Sequence, residues 1–104
     1  MNNPNMKKQF RGIVSQVIKN NGGNCTVWFQ NIDTGTMAFA NMRGLKASWG
    51  RKELVLYTHG EISFTFPYQH VYSFSVSPGR KQIDFDLTGR ELVSIRRIEK
   101  RRKG

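Results

Sequence analysis

A chain of 104 residues, with 38% hydrophobic and 12% aromatic side chains, has room for one core and the material to build it, unlike disordered chains, which are poor in aromatic and β-branched residues. Seventeen Lys and Arg against seven Asp and Glu leave a formal charge of +10, above the magnitude of roughly 2–8 usual for a small soluble domain. No apolar run approaches the ~20 residues of a membrane-spanning helix, a single cysteine excludes a disulfide scaffold, and one Cys with two His falls short of a four-ligand zinc set.

Residues 1–8 read as a flexible polar arm, residues 9–98 as one β domain, and residues 99–104 as a basic tail. From Gln9 onward, Val, Ile, Phe, Tyr and Thr recur with period two in short runs bounded by Gly, Asn and Pro. That pattern marks consecutive strands. A first strand is expected over 9–18, followed by a turn at Asn20-Asn21-Gly22-Gly23. A second strand over 24–31 and a third over 36–42, joined by Asp33-Thr34-Gly35, complete a meander. Residues 43–52 break the alternation: Gly44 and Gly50 bracket Leu45-Lys46-Ala47-Ser48-Trp49, which suits a short helical turn or an ordered loop. Further strands are expected at 53–57, 61–66, 70–77, 81–87 and 91–98. Eight short strands without a long helix specify an all-β fold, a small barrel or sandwich.

The alternation also assigns faces. Ile62, Phe64 and Phe66 oppose Ser63 and Thr65, and Ile83, Phe85 and Leu87 oppose Asp84 and Asp86. Each set describes a strand with one dry and one wet face. Cys25, Val27 and Phe29 share the core side of the second strand, so Trp28 points the other way, between Thr26 and Gln30. Phe39, in Met37-Ala38-Phe39-Ala40, reads first as a core residue, because its strand has no cleanly polar face.

Catalysis finds little footing. A nucleophile needs a base and an orienting acid, and His59 and His70 sit in turn or strand-start positions without such company. No catalytic residue, cofactor or metal ligand is assigned. Asp84 and Asp86 share a strand face and read as a solvated pair before they read as a cation site. Cys25 reads as a small buried hydrophobe. No Gly-rich loop leads into a helix, so no phosphate cradle is expected. The N-terminus lacks the apolar stretch of a secretory signal, and one unpaired Cys suits a reducing compartment, so a cytoplasmic location is expected.

The charge points to nucleic acid, because Lys and Arg neutralise phosphates and release counterions. An anionic membrane ranks below it, since the strand reading leaves no basic amphipathic helix. Half of the excess charge lies in residues 96–103, where Arg96, Arg97, Lys100, Arg101, Arg102 and Lys103 meet one acid, Glu99. Lys7, Lys8 and Arg11 form a smaller cluster near the start. Single strands are held by a basic groove and by aromatic faces on which bases stack. The aromatic candidates are Trp28, Phe39 and Trp49, with Arg43, Lys46 and Arg51 nearby in sequence. For Trp49, plugging one end of a barrel is the competing role. RNA and single-stranded DNA are both served by such a surface; a structural β domain whose charge only keeps it soluble is the third reading.

The middle of the chain resembles the oligonucleotide-binding fold of the translation initiation factor one family, which includes the bacterial factor and eukaryotic factor 1A. The resemblance spans residues 9–69 and rests on Gly12-Ile13-Val14, Ala40-Asn41-Met42-Arg43-Gly44, the basic stretch to Arg51, Gly60-Glu61 and Pro67-Tyr68-Gln69. Leu45-Lys46 stands where the family carries a basic pair, and His59 precedes Gly60. The resemblance implies a small OB-like barrel, here with an additional C-terminal strand pair. It also implies an RNA ligand, a partner in the ribosomal small subunit, and RNA contacts at Arg43, Lys46 and Arg51 with Trp49 in the same loop. The face of the second and third strands is the usual binding surface of such barrels, which places Trp28 and Phe39 beside the groove.

Overall fold

The computed structural model describes residues 4–59, 63–88 and 90–98. Its first element corrects the first expectation. Residues 9–18 are not a strand but part of a helix, α1 (Pro4–Asn20). Phe10, Ile13, Val14, Val17 and Ile18 are the buried residues of α1, spaced by three and four, which is one stripe of a helix. Lys8, Arg11, Ser15, Gln16 and Lys19 face solvent. The expected arm is shortened accordingly, because residues 4–8 are helical. A basic amphipathic helix is therefore present, but its apolar face is used up in the core.

The Asn20–Gly23 turn ends this helix instead of joining two strands. Gly23 N–H donates to the Ile18 carbonyl at 2.9 Å and Gly22 N–H to that of Lys19 at 3.0 Å, a Schellman cap. Gly22 sits at φ +65, a left-handed conformation that side chains other than glycine resist.

Eight strands follow: β1 (Cys25–Asn31), β2 (Met37–Met42), β3 (Lys46–Trp49), β4 (Leu54–Tyr57), β5 (Ser63–Phe66), β6 (Val71–Val76), β7 (Ile83–Leu87) and β8 (Glu91–Arg97), with a 3-10 turn at Tyr68–His70. The stretch expected as a helical turn or loop contains β3. The strands are antiparallel and form a five-stranded sheet, β2-β1-β8-β7-β6, and a three-stranded sheet, β3-β4-β5. The β character of the chain is as the alternation indicated. The strands run in chain order and β8 returns to β1, but among the described residues the ladder is broken between β2 and β3 and between β5 and β6. The barrel order is present without a closed barrel. The C-terminal strands are not an appendage, because β8 lies at the centre of the larger sheet.

One core lies between α1 and the two sheets. Phe10 is fully buried. Its ring meets Phe85 at 5.1 Å, Phe74 at 5.3 Å and Trp49 at 5.9 Å. Cys25, Val27, Ile83, Phe85, Leu87, Val93 and Ile95 line the inner face of the larger sheet, with Leu54, Leu56 and Phe66 from the smaller one. Burial pushes the Cys25 thiol up from its ordinary value of 9.0, against a smaller lowering by the Asn21 side-chain amide. No helix among the described residues is long and apolar enough to cross a membrane.

Candidate nucleic-acid interface

The register of the larger sheet carries one row of side chains across its outer face. Phe39 lies opposite Trp28, Trp28 opposite Ser94, Ser94 opposite Asp84, and Asp84 opposite Ser75. Trp28 and Phe39 stack at 4.7 Å between centroids and 22° between planes. That separation equals the usual spacing of neighbouring strands, ~4.7–4.9 Å. The two rings therefore stand on the sheet, and the axis of their stack runs across the strands. The other face of Trp28 looks over the small Ser94 toward β7. The Arg96 guanidinium lies over the Trp28 ring, 5.6 Å from its centroid, and its Nε–H donates to Ser94 Oγ at 3.1 Å.

Beside this ring is an open depression of about 300 Å³ lined by Trp28, Gln30, Asp84, Leu92, Val93, Ser94 and Arg96. It offers an aromatic face, a guanidinium, an amide and a carboxylate. Phe39 is not a core residue as its sequence context suggested: it is 59% exposed. Its strand is the edge of the sheet, so among the described residues no strand pairs with β2 on the side away from Trp28. The next row toward the end of β8 pairs Thr26 with Asn41 and with Arg96, and Thr26 Oγ1–H donates to Asn41 Oδ1 at 2.6 Å.

A second depression, of about 310 Å³, opens at the end of the sheet that Arg96 approaches. Arg43, Lys81 and Arg97 line it, together with Asn20, Asn21 and Asn24. Asn20 and Asn21, at the end of α1, donate to the carbonyls of Arg80 at 3.1 Å and Lys81 at 2.8 Å. They thereby hold the β6–β7 turn and its lysine against the helix. Arg43 and Arg97 were expected contributors; Lys81 was not. Its place depends on a turn meeting a helix end far away in sequence, which no local pattern reveals.

The other basic candidates are elsewhere. Lys7 lies over the Tyr68 ring at 4.8 Å and Arg11 over the Trp49 ring at 5.5 Å. Trp49 is half-buried against the core, edge-on to Phe10 and Tyr68. It belongs to β3, not to a loop, and fills space between helix and sheet. Tyr68 Oη–H donates to the Arg51 carbonyl at 2.6 Å, which ties the 3-10 turn to the β3–β4 connection. Lys8, Lys46 and Arg51 are exposed. Lys100, Arg101, Arg102 and Lys103 lie outside the described residues.

Asp84 accepts from Gln82 Nε2 at 3.2 Å, while Asp86 Oδ1 is buried without a hydrogen-bond partner among the described residues. No three His, Cys, Asp or Glu side chains gather among the described residues to hold a metal ion. His59 and His70 are exposed. No protein-family model, no curated protein and no solved structure matches the chain.

Proposed function

We propose that this protein binds single-stranded nucleic acid, RNA in the first place, on the outer face of its larger sheet. The observation that carries the reading is the Trp28–Phe39 stack on the outer sheet face, with Phe39 exposed, Trp28 half-buried and Arg96 laid on the tryptophan. Aromatic rings on a β surface serve bases, whose π-faces stack on them regardless of sequence. Arg96 contributes a cation that can cover a stacked base or meet its phosphate. Arg43, Lys81 and Arg97 at the adjoining rim would take the backbone phosphates. The acidic Asp84 beside Trp28 disfavours a phosphate there and leaves that depression to a base or its exocyclic amino group. The resemblance to the initiation factors favours RNA over single-stranded DNA and suggests a ribosomal setting. It loses one of its supports, since Gly12-Ile13-Val14 is helical.

The test uses the Trp49→Phe variant, whose emission comes from Trp28 alone. It is titrated with a single-stranded RNA, the same sequence as DNA, and a duplex. Quenching by single strands but not by duplex is expected, and the ratio of the two single-strand affinities identifies the preferred sugar. Unchanged Trp28 emission with both single strands would overturn the reading.

A further inference from the structure

The geometry points to a second copy of this chain as the occupant of the free edge of β2: we propose that two copies pair antiparallel through β2, with Phe39 facing Phe39 on the two-fold axis. The backbone carries the first part of the argument. Asn31 N–H donates to the Thr36 carbonyl at 2.8 Å, so the hydrogen-bonded pairs of the β1–β2 ladder fall at every second position from there. Phe29–Ala38, Val27–Ala40 and Cys25–Met42 are such pairs in the register. Met37, Phe39 and Asn41 lie between them. Their N–H and C=O groups point away from β1, to the open side of the edge strand.

The side chains say what kind of strand fits. From Thr34 to Met42 there is no charge, in a chain of net +10. Met37 and Phe39 are 54% and 59% exposed. Natural edges are usually guarded by Lys, Pro or a bulge. The opposite edge, β6, has its bulge between Val71 and Ser73; β2 keeps an unbroken register over all six of its residues. An isologous pair about Phe39 sets Ala38 against Ala40 of the second copy on the inner side and Met37 against Asn41 on the outer. It supplies about six inter-copy hydrogen bonds. It also continues the existing stack at the same strand spacing: Trp28, Phe39, then the Phe39 and Trp28 rings of the second copy. Because the strands run oppositely, the two Arg43 side chains end roughly 26 Å apart at ~3.3 Å per residue, each heading toward the Asp33 turn of the other copy.

The test is oligomeric state in solution, by sedimentation at micromolar concentration. The wild-type chain is expected at twice 12.0 kDa. Met37→Pro removes an outward N–H without touching a β1 bond, and it is expected to sediment at half the wild-type mass with an unchanged far-ultraviolet spectrum. Phe39→Cys places two thiols on the axis, at the ~5.5 Å Cα spacing of a hydrogen-bonded pair, within disulfide range. Under mild oxidation it is expected to cross-link at least tenfold faster than Ser75→Cys on the β6 edge. A monomeric wild type, a dimer indifferent to Met37→Pro, or equal cross-linking of the two cysteine variants would each overturn the proposal. None of these readouts involves nucleic acid, so failure of the pairing is distinguishable from failure of the binding function; in the paired form Phe39 is covered and the base-binding surface is the depression beside Trp28.

Discussion

Trp49 meets Phe10 edge-on, with the rings perpendicular and 5.9 Å apart, and that contact locks β3 to the helix. Phe10 is fully buried and touches aromatic rings from β3, β6 and β7. Truncating it empties the place where three elements meet. Phe10→Ala is expected to cost about 3–5 kcal/mol, read as a lower midpoint in urea unfolding with an unchanged slope. A loss below 1 kcal/mol would mean that α1 does not pack on the sheets as described.

Two glycines of α1 and its cap respond to alanine with opposite signs. Gly12 is exposed in mid-helix, and a Cβ there meets nothing within 4 Å. Gly12→Ala is expected to stabilise by about 0.5–1 kcal/mol, because alanine is the better helix former. Gly22 has equal space but sits at φ +65. Gly22→Ala is expected to destabilise by about 1 kcal/mol through backbone strain alone. Thermal melts of the two variants beside the wild type check both.

Cys25 sets an alkaline limb on stability. Its thiol is buried and its pKa is raised, chiefly by desolvation. Above the ordinary value of 9.0 the unfolded chain loses this proton while the folded chain keeps it. The unfolded state then binds fewer protons, so stability falls as pH rises from there toward the folded pKa. Below that window the group contributes no pH dependence. The wild type is expected to lose more stability than Cys25→Ala over pH 9 to 10.5; parallel curves would show that burial does not hold the thiol neutral.

Binding should divide between stacking and charge. Trp28→Ala is expected to weaken single-strand affinity by about 1–3 kcal/mol, roughly 5- to 150-fold, with little effect on the salt slope. Arg97→Ala and Lys81→Ala are expected to weaken all sequences alike. For every phosphate no longer neutralised, the single-strand salt slope falls by about 0.7. Affinity measured at four salt concentrations separates the two kinds of residue. A tryptophan variant that altered only the salt slope would contradict a base stacked on that ring.

Seven of the eight strands were legible because their period is two and their bounds are Gly, Asn or Pro. The helix was not, because its stripe is built of Val and Ile and interrupted by Gly12, all weak helix formers. Burial of Phe10, Val14 and Val17 against the sheets supplies what propensity lacks. β3 was hidden for a related reason. Its alternation covers only Lys46 to Trp49, and Gly44 and Gly50 on either side read as loop. The outward turn of Trp28 followed directly from Cys25 and Val27 facing the core. Its partner did not, because Phe39 lies on an apolar strand, and only the sheet order shows that strand to be an edge. The rim of Arg43, Lys81 and Arg97 joins three distant segments and has no local signature.

The position of β8 has a consequence for how the molecule comes into being. Cys25 pairs with Arg97 and Asn31 with Glu91, so the last of the eight strands is the one inserted at the middle of the larger sheet. During synthesis, the β1–β2 hairpin is finished long before its proper neighbour exists. The intervening strands cannot stand in for β8, because β7 needs it too. Assembly of the larger sheet is thus held back to a single late event. Contacts that distant in sequence are slow to form, since the loop must close before they reward it. Until then both sides of the β1–β2 hairpin stay open to other chains.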